Sequence, residues 1–393
     1  MCYDLQPGGS TMSVLARLRS DVRTVRVERL AIGIGIGAII GCVIRNLPPR
    51  VYTTDFQQDW LTASALQNGL DPLASIDTLA SVYLPQAGIF PHPSPHPPAL
   101  LLMALPFAAL PYEVASLIWL GIGVLIVYVT GRQLGLGWPG SLAIMAWPPL
   151  FATLAIGQWE AAILALAVLG WREADRGRDA RAGLLLGLAA SIKLYPALIL
   201  VPYLLRRRLR LIAAAAAVFL ASQVLGLLVV GPGGMVRYWT EVLPAVNAIY
   251  RHTPINISPF GVLSLFGMPG YAAFGVIVLA ALALLVRAEP KAWGAAPMLM
   301  LPTAWAFYAA IALPYLLSVW QKGRLSTLLA FLASSPAMLA VGLAAHLGPP
   351  YSWWLMGLLG VVQPLALLAL LLLHRPGCTA SVAAEPVPAD LGG

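Results

Sequence analysis

The chain has 393 residues, of which 59% are apolar and only 10% charged, with a mean hydropathy of +0.81. A soluble globular protein carries about one-quarter charged residues, so this composition cannot furnish a water-exposed surface, and apolar runs of helix length exclude a barrel whose strands alternate over only about 10 residues. The net charge of +8 fits basic residues gathered beside cytoplasmic helix ends rather than a nucleic-acid partner, and the chain reads as an all-α integral membrane protein.

From the N-terminus, the basic stretch Arg17 to Arg29 leads into a long apolar segment without a small-residue cleavage site. Residues 1–28 are therefore expected to form a cytoplasmic segment, and the following run to stay as the first helix. Apolar runs predict further spans near 114–131, 139–156, 159–171, 182–193, 194–205, 211–230, 271–286, 293–304, 305–320, 326–346 and 352–373. Several fall short of the ~20 residues that cross in one piece. Basic clusters flank 182–205 on both sides, with Arg172, Arg176, Arg178 and Arg181 before it and Arg206, Arg207, Arg208 and Arg210 after it. A single crossing would push one cluster outward against the positive-inside tendency. A hairpin of half-length helices meeting near Lys193-Leu194-Tyr195-Pro196 avoids that conflict, and 293–320 reads the same way. The expected architecture is a polytopic helical bundle of about 12 transmembrane or half-membrane helices, both termini cytoplasmic, whose short helix ends line a cavity.

Two outward segments are long, 47–113 and 231–270, and the first contains a proline-bounded apolar stretch at 97–111 that reads as an interfacial helix. The whole of 29–375 is expected to be one membrane domain, with 376–393 a disordered cytoplasmic tail. Cys2, Cys42 and Cys378 suggest neither a disulfide framework nor a metal site. The glycines Gly33, Gly35, Gly37 and Gly41 lie inside a span, where small residues permit close helix packing. Nucleotide-loop, zinc-protease and serine-elbow motifs are absent.

Chemistry is expected on the outward side. Asp55, in Tyr52-Thr-Thr-Asp-Phe-Gln-Gln-Asp-Trp60, follows the first helix, where partial desolvation would make a carboxylate a better proton acceptor. Asp59 is its rival one helical turn away, and a solvated loop carboxylate is the plain alternative. Lys193 is isolated in the central hairpin, where an ammonium costs roughly 2.5–3.5 kcal/mol to insert, so it points to a cavity and a phosphate, or else snorkels to the interface. His92 and His96 lie in Phe90-Pro-His-Pro-Ser-Pro-His-Pro-Pro98, where the prolines prevent the helix that would align metal ligands. One of them could touch substrate. Arg251 and His252 could supply cations, and Glu160 in Gly157-Gln158-Trp159-Glu160 could line the same cavity or cap its turn.

Together these segments resemble the polyprenol-phosphate-mannose-dependent α-(1→2) mannosyltransferases of glycosyltransferase family 87, which have the GT-C membrane fold. The resemblance covers most of residues 30–320. It rests on Asp55-Phe56 followed by Gly69-Leu-Asp-Pro72, His96-Pro-Pro98, Gly157-Gln158, Gly187-Leu-Ala-Ala-Ser-Ile-Lys-Leu-Tyr-Pro196 before Arg206, Asn256-Ile-Ser258, and Pro302-Thr-Ala-Trp305 leading to Tyr308. Two positions depart from the family. Its histidine shortly after the late Trp is missing from Trp305-Ala-Phe-Tyr308, and its tyrosines after Asp-Phe are replaced by Asp59 and Trp60.

The resemblance implies a hexosyltransferase of the cell membrane with its active site facing outward and Asp55 as base. Taken with the residue readings above, the substrate side is expected to comprise Lys193, Arg251, His96, His92, Asp59, Glu160, Asn256, Tyr195 and Trp305. The implied partners are a polyprenyl-phosphate-sugar donor, mannose first among the sugars, a lipid or glycan acceptor, and membrane lipids. No metal and no cofactor beyond the lipid-linked donor are expected. The chemistry is coherent, because a lipid-linked phosphate leaves readily as an anion. One base and one cation can then suffice where a glycoside hydrolase needs two carboxylates, and direct displacement gives inversion. A transporter or lipid flippase is the competing class, since short paired helices also build midplane sites there. An enzyme of the same fold moving an aminoarabinose or arabinofuranose unit is a further alternative.

Overall fold

The computed structural model describes residues 11–87, 90–253, 256–265, 267, 270–320, 322–334 and 351–374. The expected tail at 376–393, and the second half of the span expected at 326–346, lie outside the described residues. Within them the chain is helical, with no strand. Its α-helices are α1 (Thr11–Arg45), α2 (Phe56–Gln67), α3 (Ile76–Tyr83), α4 (Leu101–Ala108), α5 (Tyr112–Gln133), α6 (Trp138–Ala143), α7 (Pro148–Ile156), α8 (Glu160–Asp175), α9 (Asp179–Ile192), α10 (Val201–Leu205), α11 (Leu209–Arg237), α12 (Leu243–Arg251), α13 (Pro259–Leu265), α14 (Gly270–Leu285), α15 (Ala296–Met300), α16 (Leu313–Trp320), α17 (Arg324–Leu332) and α18 (Tyr351–Leu373). Helix α1 already begins at Thr11, so the basic segment expected to precede the first helix is largely part of it.

Three stretches are long and apolar enough to cross a bilayer: Thr24–Arg45, Tyr112–Gln133 and Leu209–Arg251. A bent pair, Trp138–Ala146 and Pro148–Ile156, meets at 73° and would make a fourth. The other apolar helices, such as Gly270–Leu285 and Ala306–Trp320, are too short to cross alone. The described residues thus carry three or four candidate full spans, where about 12 transmembrane or half-membrane helices were expected. The exposed faces of the long helices are apolar, with Ile36 and Ile40 on α1, Leu125 on α5 and Leu220 and Leu228 on α11. Such surface is stable against lipid and not against water, and the chain is a membrane protein.

Contacts divide the chain into two compact units. One comprises residues up to Arg172 with Ser191–Lys193 and Val218–Val246, and the other Glu173–Ala190, Leu194–Ala217 and everything from Asn247 onward. In the first unit, α1 packs closely on α6. A Cβ on Gly35 would lie 2.6 Å from the Leu142 carbonyl carbon, and one on Gly41 would lie 3.3 Å from the Phe151 ring, whereas Gly33 and Gly37 face open space. The glycine series therefore serves packing at two of its four positions. Buried Asn46 ties three helices together at the end of α1. Its Nδ2 donates to the Cys42 and Ala155 carbonyls at 2.9 and 3.3 Å, and its Oδ1 accepts from Ser116 at 2.7 Å.

The segment after α1 packs as a small helical core. Phe56, Trp60, Leu61, Ile76, Leu79 and Tyr112 are buried together, and the Trp60 indole donates to the Phe107 carbonyl at 3.0 Å. Helix α4 buries Leu101 and Ala104 and exposes Leu102 and Met103, so both of its faces are apolar. Helix α11 breaks at Gly231-Pro232, with the glycine at φ 72°. Past the break, the Tyr238 hydroxyl donates to the Pro95 carbonyl at 2.9 Å, anchoring the histidine-bearing proline stretch, and Arg237 pairs with Asp71 at 2.5 Å.

The second unit is held by close helix contacts and by buried aromatic side chains. Gly183 and Gly187 on α9 sit against the Leu211 and Ala215 backbone of α11. The Trp293 indole donates to the Leu285 carbonyl at 2.9 Å. The chain breaks at Lys193-Leu194, before a 3-10 turn over Tyr195–Leu200, and again at 301–305, the two places where half-length helices were expected to meet.

Candidate active site

Helix α7 ends on Gly157, whose φ of 75° lies in the left-handed region. Glycine is needed there twice over. The conformation disfavours any side chain, and a Cβ would stand 2.7 Å from that of Phe56. The Gly157 carbonyl accepts from the Trp119 indole at 2.9 Å, and Trp119 lies flat on Phe56 with ring centroids 5.2 Å apart. On the facing stretch of chain, the Asp55 amide donates to the Ile156 carbonyl at 2.8 Å. The turn between α7 and α8 and the start of α2 are thus fixed to each other through backbone.

Three consecutive side chains after Gly157 reach three charged partners, Asp55, Asp59 and Lys193. Gln158 donates Nε2 to Asp55 Oδ2 at 2.5 Å and accepts from Lys193 Nζ at 2.5 Å. Trp159 donates Nε1 to Asp59 Oδ2 at 2.9 Å. Glu160, wholly buried at the first position of α8, pairs through Oε1 with Lys193 Nζ at 2.7 Å. The helix N-terminus favours a carboxylate there. The result is a chain of contacts, Glu160 to Lys193 to Gln158 to Asp55, with Asp59 beside it.

The two aspartates differ in what remains free. Asp59 is buried and has both oxygens engaged, one by Trp159 and the other by His96 Nδ1 at 2.6 Å. Asp55 is only half-buried. It occupies the N-cap position of α2, yet its side chain does not cap that helix, although an aspartate there ordinarily would. Among the described residues nothing donates to its Oδ1. Burial raises its pKa above the usual carboxylate value, the Gln158 hydrogen bond and the charges of Lys193 and His96 pull it down, and Asp59 raises it.

His92 lies in the same unit, buried, with Nδ1 donating to the Pro93 carbonyl at 2.8 Å. Burial lowers its pKa, which favours the neutral ring. Of the residues singled out in the sequence, Asp55, Asp59, His92, His96, Glu160 and Lys193 therefore share one unit. Lys193 does not stand isolated there, because its charge is matched by Glu160. Gln158, noted in the sequence only as part of the Gly157-Gln158 motif, and Trp159 are members to which sequence reasoning gave no role in the site.

Arg251, Asn256, Tyr195 and Trp305 belong to the second unit. Arg251 donates to the Tyr271 hydroxyl at 3.3 Å. Asn256 is a backbone staple: its Nδ2 donates to the Arg251 and Pro302 carbonyls at 2.8 and 2.9 Å, and its Oδ1 accepts from the Ser258 and Ala304 amides. Tyr195 stacks on Tyr308 with centroids 4.0 Å apart, and Trp305 meets Tyr250 edge-on at 4.8 Å. Beside the polar network of the first unit lies a small cavity of about 20 Å³, lined by Trp119, Gly123, Leu154, Gln158, Trp159 and Ala161 among others.

A model of glycosyltransferase family 87 matches residues 95–301, more than half of the chain. The chain belongs to that family. It is 34% identical over 226 residues to the polyprenol-phosphate-mannose-dependent alpha-(1-2)-phosphatidylinositol pentamannoside mannosyltransferase of Mycolicibacterium smegmatis, a match that covers 54% of each chain. To the enzyme of the same description from Mycobacterium tuberculosis it is 32% identical over 227 residues, covering 54% of this chain and 52% of that one. The chain spans about half the length of the curated relatives it matches. No solved structure matches it. Gln158, Glu160 and Lys193 fall inside the family match, and Asp55 and Asp59 precede it.

Proposed function

We propose that this family 87 chain is a membrane hexosyltransferase that moves mannose from a polyprenyl-phosphate donor to an extracytoplasmic lipid or glycan acceptor, with Asp55 as general base. Asp55 Oδ1 takes the proton of the acceptor hydroxyl as that oxygen bonds to the anomeric carbon. The bond from the anomeric carbon to the phosphate oxygen breaks on the opposite side, its electron pair leaves with the lipid phosphate, and the centre inverts. One base is enough because the leaving group needs no proton.

The observation that carries the reading is the state of Asp55 beside Asp59. Asp55 is half-buried, has one oxygen with no donor among the described residues and has a raised proton affinity, whereas both oxygens of Asp59 are occupied. A carboxylate with raised proton affinity is the stronger proton acceptor. In the proposed GT-C arrangement the shorter helices add half-crossings around the long spans, to about 12 in all with both termini cytoplasmic, and Asp55 faces outward. The donor lipid is the substrate, and no separate cofactor is required.

Purified protein supplied with radiolabelled polyprenyl-phosphate-mannose and a lipid extract tests this directly. Labelled glycolipid or glycan is expected from the wild type and not from Asp55→Asn. Equal yield from the two would remove Asp55 as the base, and no transfer by the wild type would remove the activity.

A further inference from the structure

The isolated lysine of the central hairpin is expected, on sequence grounds, to hold the donor phosphate. Its surroundings argue for another role. An ammonium has only donors, so the Gln158 atom beside it must be the carbonyl oxygen, and the amide nitrogen must face the other way, toward Asp55. The direction of that amide is dictated by chemistry. Glu160, buried behind the lysine, holds the ammonium in place and balances its charge.

We infer that Lys193 is a positioning residue that acts on Asp55 through Gln158, locking the amide so that its NH2 is held on Asp55 Oδ2 and Oδ1 is left as the oxygen that takes the proton. The inference rests on the assignment of Asp55 as base. The amide has no proton to pass on, so the link conveys orientation and charge, and no proton moves between Lys193 and Asp55. Without Lys193 the Gln158 amide is free to rotate. Its oxygen can then turn toward the Asp55 carboxylate, two acceptors face each other, and the oxygen that was pinned is released. The lock also explains why a glutamine follows the left-handed Gly157: from that turn one side chain spans both partners.

The test needs a readout that does not depend on turnover. A hydrophobic carbodiimide modifies a carboxyl in its protonated form, so the pH dependence of its attachment to Asp55, read by peptide mass spectrometry, follows the proton on that side chain. Gln158 and Lys193 both favour the ionised carboxylate. In Lys193→Met and in Gln158→Leu, labelling is therefore expected to persist to higher pH than in the wild type. In the mannose-transfer assay the acid limb of kcat/KM should move the same way, with kcat lowered about tenfold or more, the donor KM within about twofold, and the double variant no worse than either single one. Gln158→Asn is too short to span the two partners and leaves every charge in place; it is expected to shift labelling in the same direction even if Lys193→Met does not fold. A Lys193→Met protein that labels at the wild-type pH and shows a raised donor KM would overturn the inference and make the lysine a phosphate ligand. So would an unshifted Gln158→Asn. A wild type that labels as expected, with the variants shifted, but transfers no mannose would count against the activity and leave the lock standing.

Discussion

Gly157 stands so close to Phe56 that a Cβ on the glycine would lie 2.7 Å from that of the phenylalanine. The contact brings the turn after α7 onto the start of α2, and with it Gln158 onto Asp55. Gly157→Ala should therefore damage both stability and site. The left-handed φ and the clash together are expected to cost about 1–3 kcal/mol. A lower melting temperature in detergent, with mannose transfer reduced more than the melting shift accounts for, would show both effects.

Asp55→Asn should separate activity from stability. Loss of a general base is expected to lower transfer by about 10²–10⁴-fold. Burial holds the Asp55 pKa above its unfolded value. A carboxyl so placed contributes stability that is fully present below the unfolded value and is lost as pH rises through the folded one. At neutral pH the ionised side chain is a cost, which asparagine removes. The variant should melt higher than the wild type at neutral pH, with the gap closing as pH falls toward the ordinary carboxylate range. Wild-type activity should fall over the acid side of the same window.

Glu160→Ala should be among the most damaging changes in the first unit. It leaves the Lys193 ammonium in a buried position without its counter-charge. Removing one partner of such a pair costs about 3–5 kcal/mol. Glu160→Gln keeps an acceptor oxygen and the shape, and should lose less. Thermal unfolding of the two variants side by side reads the difference.

Topology can be checked on intact cells. Val82 on α3 is well exposed and lies in the segment assigned to the outside, while exposed Arg207 follows α10 in the cluster assigned to the cytoplasm. With the native cysteines replaced, Val82→Cys should react with a membrane-impermeant maleimide from outside, and Arg207→Cys only after permeabilisation. The opposite pattern would put Asp55 on the wrong side for the proposed chemistry.

The helical breaks were legible in advance where chemistry marks them locally. Pro196 between two arginine clusters announced the interruption at Lys193-Leu194, and Pro302 announced the one at 301–305. The number of full crossings was not legible, because an apolar run reads alike whether the helix through it is continuous or bent by 73° like the pair at Trp147. Asn256 shows the same difficulty at the level of a side chain. A polar residue beside Arg251 looks like a ligand until its amide is found fully used by the Arg251, Pro302, Ser258 and Ala304 backbone.

Composition by itself determined that this chain lives in lipid, and motif order determined its family, because both are properties that add up along the chain without regard to which parts touch. The different hydrogen bonding of Asp55 and Asp59, the pairing of Lys193 with Glu160 and the bridging place of Gln158 were decided only by tertiary structure. Proton affinity and charge balance depend on atoms within a few ångströms, and here those atoms come from α2, the turn before α8 and the end of α9, segments far apart in sequence that meet only when the chain is folded.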